Sequence, residues 1–182
     1  MKRLASVIFF LLILPLIAPA QIGVATLKVV IIRHGEKPAK GDNLNCQGLN
    51  RSRLLPGVIV AKFGVPSFCY VPSLTADSVT KHARMFQTLT PLAAQYNLAI
   101  NSKYSGSDSA ALASDILKRS GTVLVVWDHK RILPIIHAFG IYDDTLNWND
   151  DDFDSIWIVT FINGKAVLGK DKEGLHPSPE CN

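Results

Sequence analysis

The sequence predicts a three-layer α/β domain, an αβα sandwich around a mostly parallel central sheet. Three observations carry that expectation. Residues 24–32 and 122–127 are apolar, β-branched runs without a clean period of two, as in strands buried on both faces. Helical patterns separate the strand candidates, and strands joined through a helix run parallel. Only near the end do two strand patterns follow each other directly. Residues 155–162 and 165–168, joined by Asn163-Gly164, read as a hairpin.

The first twenty residues read as a targeting segment rather than as fold. Lys2 and Arg3 form a basic start, residues 4–17 are apolar except for Ser6 and Pro15, and Ala18-Pro19-Ala20 offers small residues where a signal peptidase reads. The expectation is a signal peptide over 1–20, cleavage after Ala20, and a domain over 21–182. The protein is then exported, periplasmic or secreted, and keeps no stable membrane anchor. An uncleaved anchor helix is the alternative, but the run is short for a span of ~20 residues.

The first strand candidate stops at Arg33-His34-Gly35, where the glycine reads as a residue with positive φ. Residues 36–45 are a polar loop, and 47–63 are helical, with Pro56-Gly57 expected to kink or split the helix. A short strand is expected at 67–71, then a loop at 72–82. Met85, Leu89, Leu92, Ala93 and Tyr96 fall at helical spacing within 84–96, where Pro91 suggests a regular helix beginning near a Thr90 cap. Ser107 and Asp108 read as the cap of a helix over 109–119. The strand 122–127 is followed by a helix over 131–139 that Gly140 stops. The tail from Asp171 is polar, carries two prolines and reads as loose.

The chain of 182 residues is 48% hydrophobic, enough for one domain with a real core. Removing Lys2 and Arg3 lowers the formal charge from +4 to +2, too little to argue for nucleic acid or an anionic membrane as partner. The late acids Asp143, Asp144, Asp150, Asp151, Asp152 and Asp154 read as a solvated loop. Cys46, Cys69 and Cys181 allow one disulfide and one free thiol, in any pairing. There is no Cys-x-x-Cys and the five histidines are scattered, so no metal and no cofactor are expected.

In open α/β sheets, ligands bind beyond the carboxyl ends of the strands. Two histidines fall at such ends, His34 after the first strand and His129 after 122–127. Around them stand Arg33-His34-Gly35-Glu36, then Cys46-Gln47-Gly48-Leu49-Asn50-Arg51, then Arg84-Met85-Phe86-Gln87-Thr88, then Trp127-Asp128-His129. This ordered set resembles the histidine phosphatase superfamily, also called phosphoglycerate-mutase-like, over roughly residues 29–140. The resemblance implies that fold and a phosphorylated substrate. It also implies a phosphoryl transfer in which His34 is the nucleophile and Arg33, Arg84 and His129 bind the phosphate.

The residue types suit that chemistry. A phosphate monoester is an anion that repels nucleophiles, and guanidinium forks neutralise it. Phosphoryl transfer is catalysed mostly by positioning and charge stabilisation. One ring nitrogen of His34 attacks; the other must carry its proton and be held by an acceptor, expected to be a loop carbonyl. Nearby arginines are expected to keep the ring neutral. The general acid is less legible. No glutamate lies between Thr88 and His129, where many family members place one, so Asp108 and Asp128 are the candidates, with Asp115 read as an exposed helix residue.

Other residues read as structural. His82 is a loop residue, His137 a core histidine and His176 part of the loose tail. Glu36 pairs with a basic neighbour, Arg51 lies on a helix surface, and Tyr104 and Trp127 pack. Substrate choice is assigned to the loops 37–43 and 73–82. Two other functions are compatible with these residues: a non-catalytic phosphate-binding or interaction protein that keeps the pocket, and a phosphomutase.

Overall fold

The computed structural model describes residues 26–75 and 81–181. The expected signal segment, its cleavage site and part of the 73–82 loop lie outside the described residues. The central strand β1 (Lys28–Arg33) is apolar throughout because it has no solvent face. Val29 and Ile31 join one core and Val30 and Ile32 the other. There follow α1 (Cys46–Phe63), β2 (Phe68–Tyr70), α2 (Ala83–Gln95), β3 (Ile100–Asn101), α3 (Ser109–Ile116), β4 (Thr122–Trp127), α4 (His129–Ala138), β5 (Ser155–Ile162) and β6 (Lys165–Lys172).

The strands form one sheet in the order β3-β2-β4-β1-β5-β6. β1 to β4 are mutually parallel where they pair, and the β5–β6 hairpin adds two antiparallel strands at the β1 side. Leu55 and Ile59 of α1 and Met85, Leu89 and Leu92 of α2 cover one face; Leu112 and Ile116 of α3 and Ile132, Ile135 and Ile136 of α4 cover the other. This is the expected three-layer α/β fold. What matters for function is the β1–β4 pair. It is parallel with Arg33 opposite Trp127, so His34 and Asp128-His129 leave the sheet side by side.

Several boundaries differ from the sequence expectation. α1 is not split at Pro56, because Leu55, Pro56 and Ile59 are all buried and tertiary packing outweighs one lost backbone hydrogen bond. α2 starts at Ala83, well before Pro91, and Thr90 is not its cap. The Thr90 hydroxyl instead donates to the Phe86 carbonyl at 2.7 Å, inside the helix. α3 stops at Ile116, and α4 starts at His129, two residues early, since Asp128 caps it by accepting from Lys130 N at 2.9 Å. β3, of two half-buried residues, carries no pattern long enough to read.

The tail is docked, not loose. Cys46 and Cys181 form a disulfide, Asn50 Nδ2 donates to the carbonyls of Ser178 and Glu180 at 2.9 and 2.7 Å, and Glu173 is buried. Cys69 is the free thiol, buried in β2, where burial pushes it up to about 11.

The disulfide closes a loop across 135 positions. Cys181→Ser should therefore lower stability by up to about 5 kcal/mol in urea denaturation, the chain-entropy expectation for so long a loop. Thiol titration should find no reactive thiol in the native oxidised protein and one after unfolding; a reactive native thiol would contradict the pairing.

Candidate active site

The site is built from the loop after β1 outward. His34 N donates to the Trp127 carbonyl at 3.2 Å, which continues the β1–β4 pairing one residue past the strand. Nδ1 of His34 lies 2.7 Å from the Gly35 carbonyl. A carbonyl can only accept, so Nδ1 carries the proton and Nε2 keeps its lone pair. The expected loop carbonyl is thus the one next along the chain.

Gly35 is not needed for a positive φ, as the sequence suggested. It is needed for space: a Cβ there would stand 3.0 Å from Cα and O of Gly48. The constraint is tighter from the other side, where a Cβ on Gly48 would stand 2.2 Å from the Glu36 carbonyl oxygen. The two glycines let the first turn of α1 lie against the loop. Asn45 caps that turn, accepting from Gly48 N at 2.9 Å, while Asn45 N donates to the Glu36 carbonyl at 3.0 Å.

From α2, Thr88 Oγ1 accepts from Gly35 N at 2.9 Å. Gln87 accepts from Leu44 N at 2.9 Å and donates to Asn43 Oδ1 at 2.7 Å. The Gln-Thr pair of the Arg84 motif therefore fixes both ends of the loop, a role the sequence reading had not assigned.

Arg51 does not lie on a surface. It is 4% exposed, chelates Glu36 through Nε and Nη2 at 2.7 to 3.1 Å, and reaches Glu173 through Nη1 at 2.5 Å. Glu36 does pair with a basic neighbour, as expected. Burial, then the nearby charges of Asp154 and Glu36, push Glu173 upward against the pull of Arg51. Sequence could not show this, because the third partner comes from the tail.

Burial holds the His34 imidazole down to about 4; the Gly35 hydrogen bond opposes it, and the charges of Arg33 and Arg84 add to it. The arginines do act to keep the ring neutral, as expected, with burial as the larger cause. His34 is 1% exposed, which is the source of its desolvation.

The other expected site residues gather here. Arg33 Nη1 donates to the carbonyls of Asp150 at 2.6 Å and Asp152 at 3.1 Å, and Phe153 stacks 3.8 Å from the guanidinium carbon. Arg84 and Asp128 are near enough to act on His34 electrostatically. His129 Nε2 lies 2.7 Å from Asp150 Oδ1. Arg33 Nε, Arg84 Nε and His129 Nδ1 are buried nitrogens with no hydrogen-bond partner among the described residues. Buried polar groups are ordinarily satisfied. Among the described residues two further orphans, Ser109 Oγ and Arg119 Nε, belong to other side chains; the remaining three fall on the side chains expected to hold phosphate.

Of the two candidate acids, Asp128 is the one whose charge reaches His34 and Arg33. Asp108 is exposed and accepts from Ser105 N at 3.1 Å, and at the start of α3 it makes no side-chain capping bond. Asp128 is engaged as the α4 cap. Asp115 is half-buried rather than exposed, bonded to the Tyr70 hydroxyl at 3.0 Å and to Arg119 at 2.8 Å. His137 is half-buried and stacks on Tyr142. His82 is strained at φ 62° and held to the Ser73 carbonyl at 2.8 Å, and it borders a cleft of 430 Å³ with Met85, Trp127 and Lys130. A second cleft, of 350 Å³, is the one that opens on Arg33 and His129, with Lys37, Lys130 and Asp150 around it. Lys130 lines both clefts.

Such a sheet, with a buried histidine after its first strand and cationic donors beside it, defines a three-layer α/β protein with a cationic crevice at the carboxyl ends of β1 and β4. The chain has the fold of histidine phosphatases. It is similar to a phosphoserine phosphatase mutant from Entamoeba histolytica in complex with phosphoserine, with 14% identity and a TM-score of 0.58 over 81% of this chain and 97% of that one. It is similar to the protein histidine phosphatase SixA complexed with tungstate, with 18% identity and a TM-score of 0.58 over 80% and 97% of the two chains. It is also similar to a putative phosphohistidine phosphatase SixA from Nakamurella multipartitia, with 13% identity and a TM-score of 0.54 over 84% and 96%. No protein-family model matches the chain, and no curated protein does.

The geometry makes a direct statement about titration. His34 should stay neutral down to about pH 4, read from its imidazole resonances by NMR. Because burial leads, Arg84→Ala should raise that midpoint only modestly. A wild-type midpoint at the unperturbed His value of about 6.5 would contradict the burial argument.

Proposed function

We propose that the protein is a metal-independent phosphatase that hydrolyses phosphate monoesters or phosphoramidates through a phosphohistidine on His34. The observation that carries this reading is the coincidence of a neutral imidazole, whose Nδ1 is tied to Gly35, with the orphan nitrogens of Arg33, Arg84 and His129 around it. Nε2 attacks phosphorus in line. The cationic side chains take up the charge of the phosphoryl oxygens, where a metal ion would act in other phosphatases. Water then cleaves the phosphorus–nitrogen bond and returns His34 to its starting state. Arg33 gives only part of its fork, since Nη1 is spent on the carbonyls of Asp150 and Asp152. Arg84 and His129 therefore carry more of the phosphate binding.

Export is part of the proposal. The Ala18-Pro19-Ala20 site and the Cys46–Cys181 disulfide both suit a chain that matures outside the reducing cytoplasm. The exported protein should begin at Gln21 by N-terminal sequencing, and an intact Met1 in a membrane fraction would contradict the signal reading.

Turnover of an aryl phosphate by purified protein is the direct test. His34→Ala should abolish turnover and the trapped phosphoenzyme together. Arg84→Ala and His129→Ala should each cost about a hundredfold or more in kcat/KM, as loss of a charged transition-state contact does. EDTA should leave the rate unchanged. Label found on a Ser or Asp, or activity lost to the chelator and restored by a divalent ion, would sink the mechanism.

A further inference from the structure

For proton transfer to the leaving group, Asp128 lies near His34 but is engaged through Oδ1 as the α4 cap. The structure brings a different carboxylate to the phosphate-binding side chains. Asp150, on the segment between α4 and β5, puts Oδ1 2.7 Å from His129 Nε2, and its own carbonyl accepts from Arg33 Nη1 at 2.6 Å. The backbone is thereby anchored to the site by a buried arginine. The carboxylate is 77% exposed on the wall of the cleft that opens on Arg33 and His129. An anchored backbone with an exposed carboxylate, held through one oxygen by His129, is what a proton donor to an entering alcohol or amine requires. In its pair with the buried His129, the Asp150 carboxylate is the solvent-facing partner.

We propose that Asp150 is the proton donor to the leaving group and the proton acceptor for the hydrolytic water, an inference that rests on the phosphohistidine reading above. In the first step the nitrogen–phosphorus bond to His34 forms and the bond from phosphorus to the leaving oxygen breaks. That oxygen takes the proton of the Asp150 carboxyl and departs as the neutral alcohol. In the second step a water oxygen bonds to phosphorus, the phosphorus–nitrogen bond breaks, its electron pair returns to Nε2, and Asp150 takes the water proton. The first proton arrives with the substrate. A phosphate monoester still holds one at mildly acidic pH, and negative charge beside a carboxylate favours its protonated form. In the free enzyme His129 and Lys130 hold Asp150 below the usual carboxylate range, so it begins as the base and is charged by substrate binding.

This role separates leaving groups. Asp150→Asn should lower kcat/KM for an alkyl phosphate such as glycerol phosphate by about a hundredfold or more, the usual size of a general-acid contribution. With para-nitrophenyl phosphate the same variant should form phosphoenzyme at close to the wild-type rate, since nitrophenolate leaves unprotonated. It should then hydrolyse that phosphoenzyme slowly, giving a burst of nitrophenolate equal to the enzyme present. Asp150→Glu should restore part of the alkyl phosphate rate. Equal losses on both substrates without a burst, an unchanged alkyl phosphate rate, or a faster variant with lower KM would overturn the assignment; the last would mark Asp150 as a cover competing with phosphate. Wild-type protein inert toward both phosphates would remove the phosphatase reading itself, whereas wild-type turnover with any of those three variant results removes only Asp150.

Discussion

The guanidinium of Arg51 is the interaction on which the active end depends. A buried charge is costly unless it is paired and its donors are used. Arg51 meets that condition with Glu36 from the loop after His34 and Glu173 from beyond β6, with Asp154 at 4.0 Å. Three stretches far apart in sequence are thus obliged to meet at one side chain. Leaving either glutamate behind without Arg51 would bury an uncompensated carboxylate, a loss of about 3–5 kcal/mol. The Cys46–Cys181 bond works in the same direction, since it ties the tail to the first residue of α1, whose Gly48 lies on the Glu36 backbone. Loop, helix and tail form one rigid support beneath His34.

On that support, positioning and charge are handled separately. Position comes from hydrogen bonds around the loop: the Trp127 carbonyl for His34 N, the Gly35 carbonyl for Nδ1, and the Thr88 hydroxyl for Gly35 N. Short bonds of this kind leave few rotamers open and hold the nucleophile on the parallel β1–β4 pair. Charge comes from side chains that converge from other elements, Arg84 from α2, His129 from α4, and Lys37 and Lys130 at the cleft. The acidic residues from Asp150 to Asp152 meet this cationic set, through backbone carbonyls on Arg33 as much as through carboxylates.

The fold and the principal side chains of the site were legible in the sequence because both rest on local pattern. Continuous apolar runs marked β1 and β4 as doubly buried. An Arg-His-Gly at the end of one and a histidine after the other marked the crevice between them. The supports were not legible, for physical reasons. Arg51 and Asp115 look like ordinary exposed helix residues until tertiary partners from the tail and from β2 appear. Gly35 read as a turn residue and Gly48 as part of a helix because close approach between backbones leaves no trace in composition. Pro56 and Pro91 were given the weight they have in isolated helices, whereas buried Leu55, Ile59 and Leu89 decide the matter here. The late aspartates were read as solvated. That holds for their exposure and misses where Arg33 pulls their backbone.

Neutrality of the nucleophile and affinity for the anion have different physical sources in this protein. Burial comes first in holding His34 down to about 4, and the arginines come after the opposing Gly35 hydrogen bond. A site that relied on arginines alone to keep its histidine neutral would lose that neutrality as the phosphate arrived, because the bound dianion cancels their field. Desolvation does not cancel in this way; it deepens as substrate displaces water. The attacking lone pair is therefore kept available at the moment the cationic side chains are occupied.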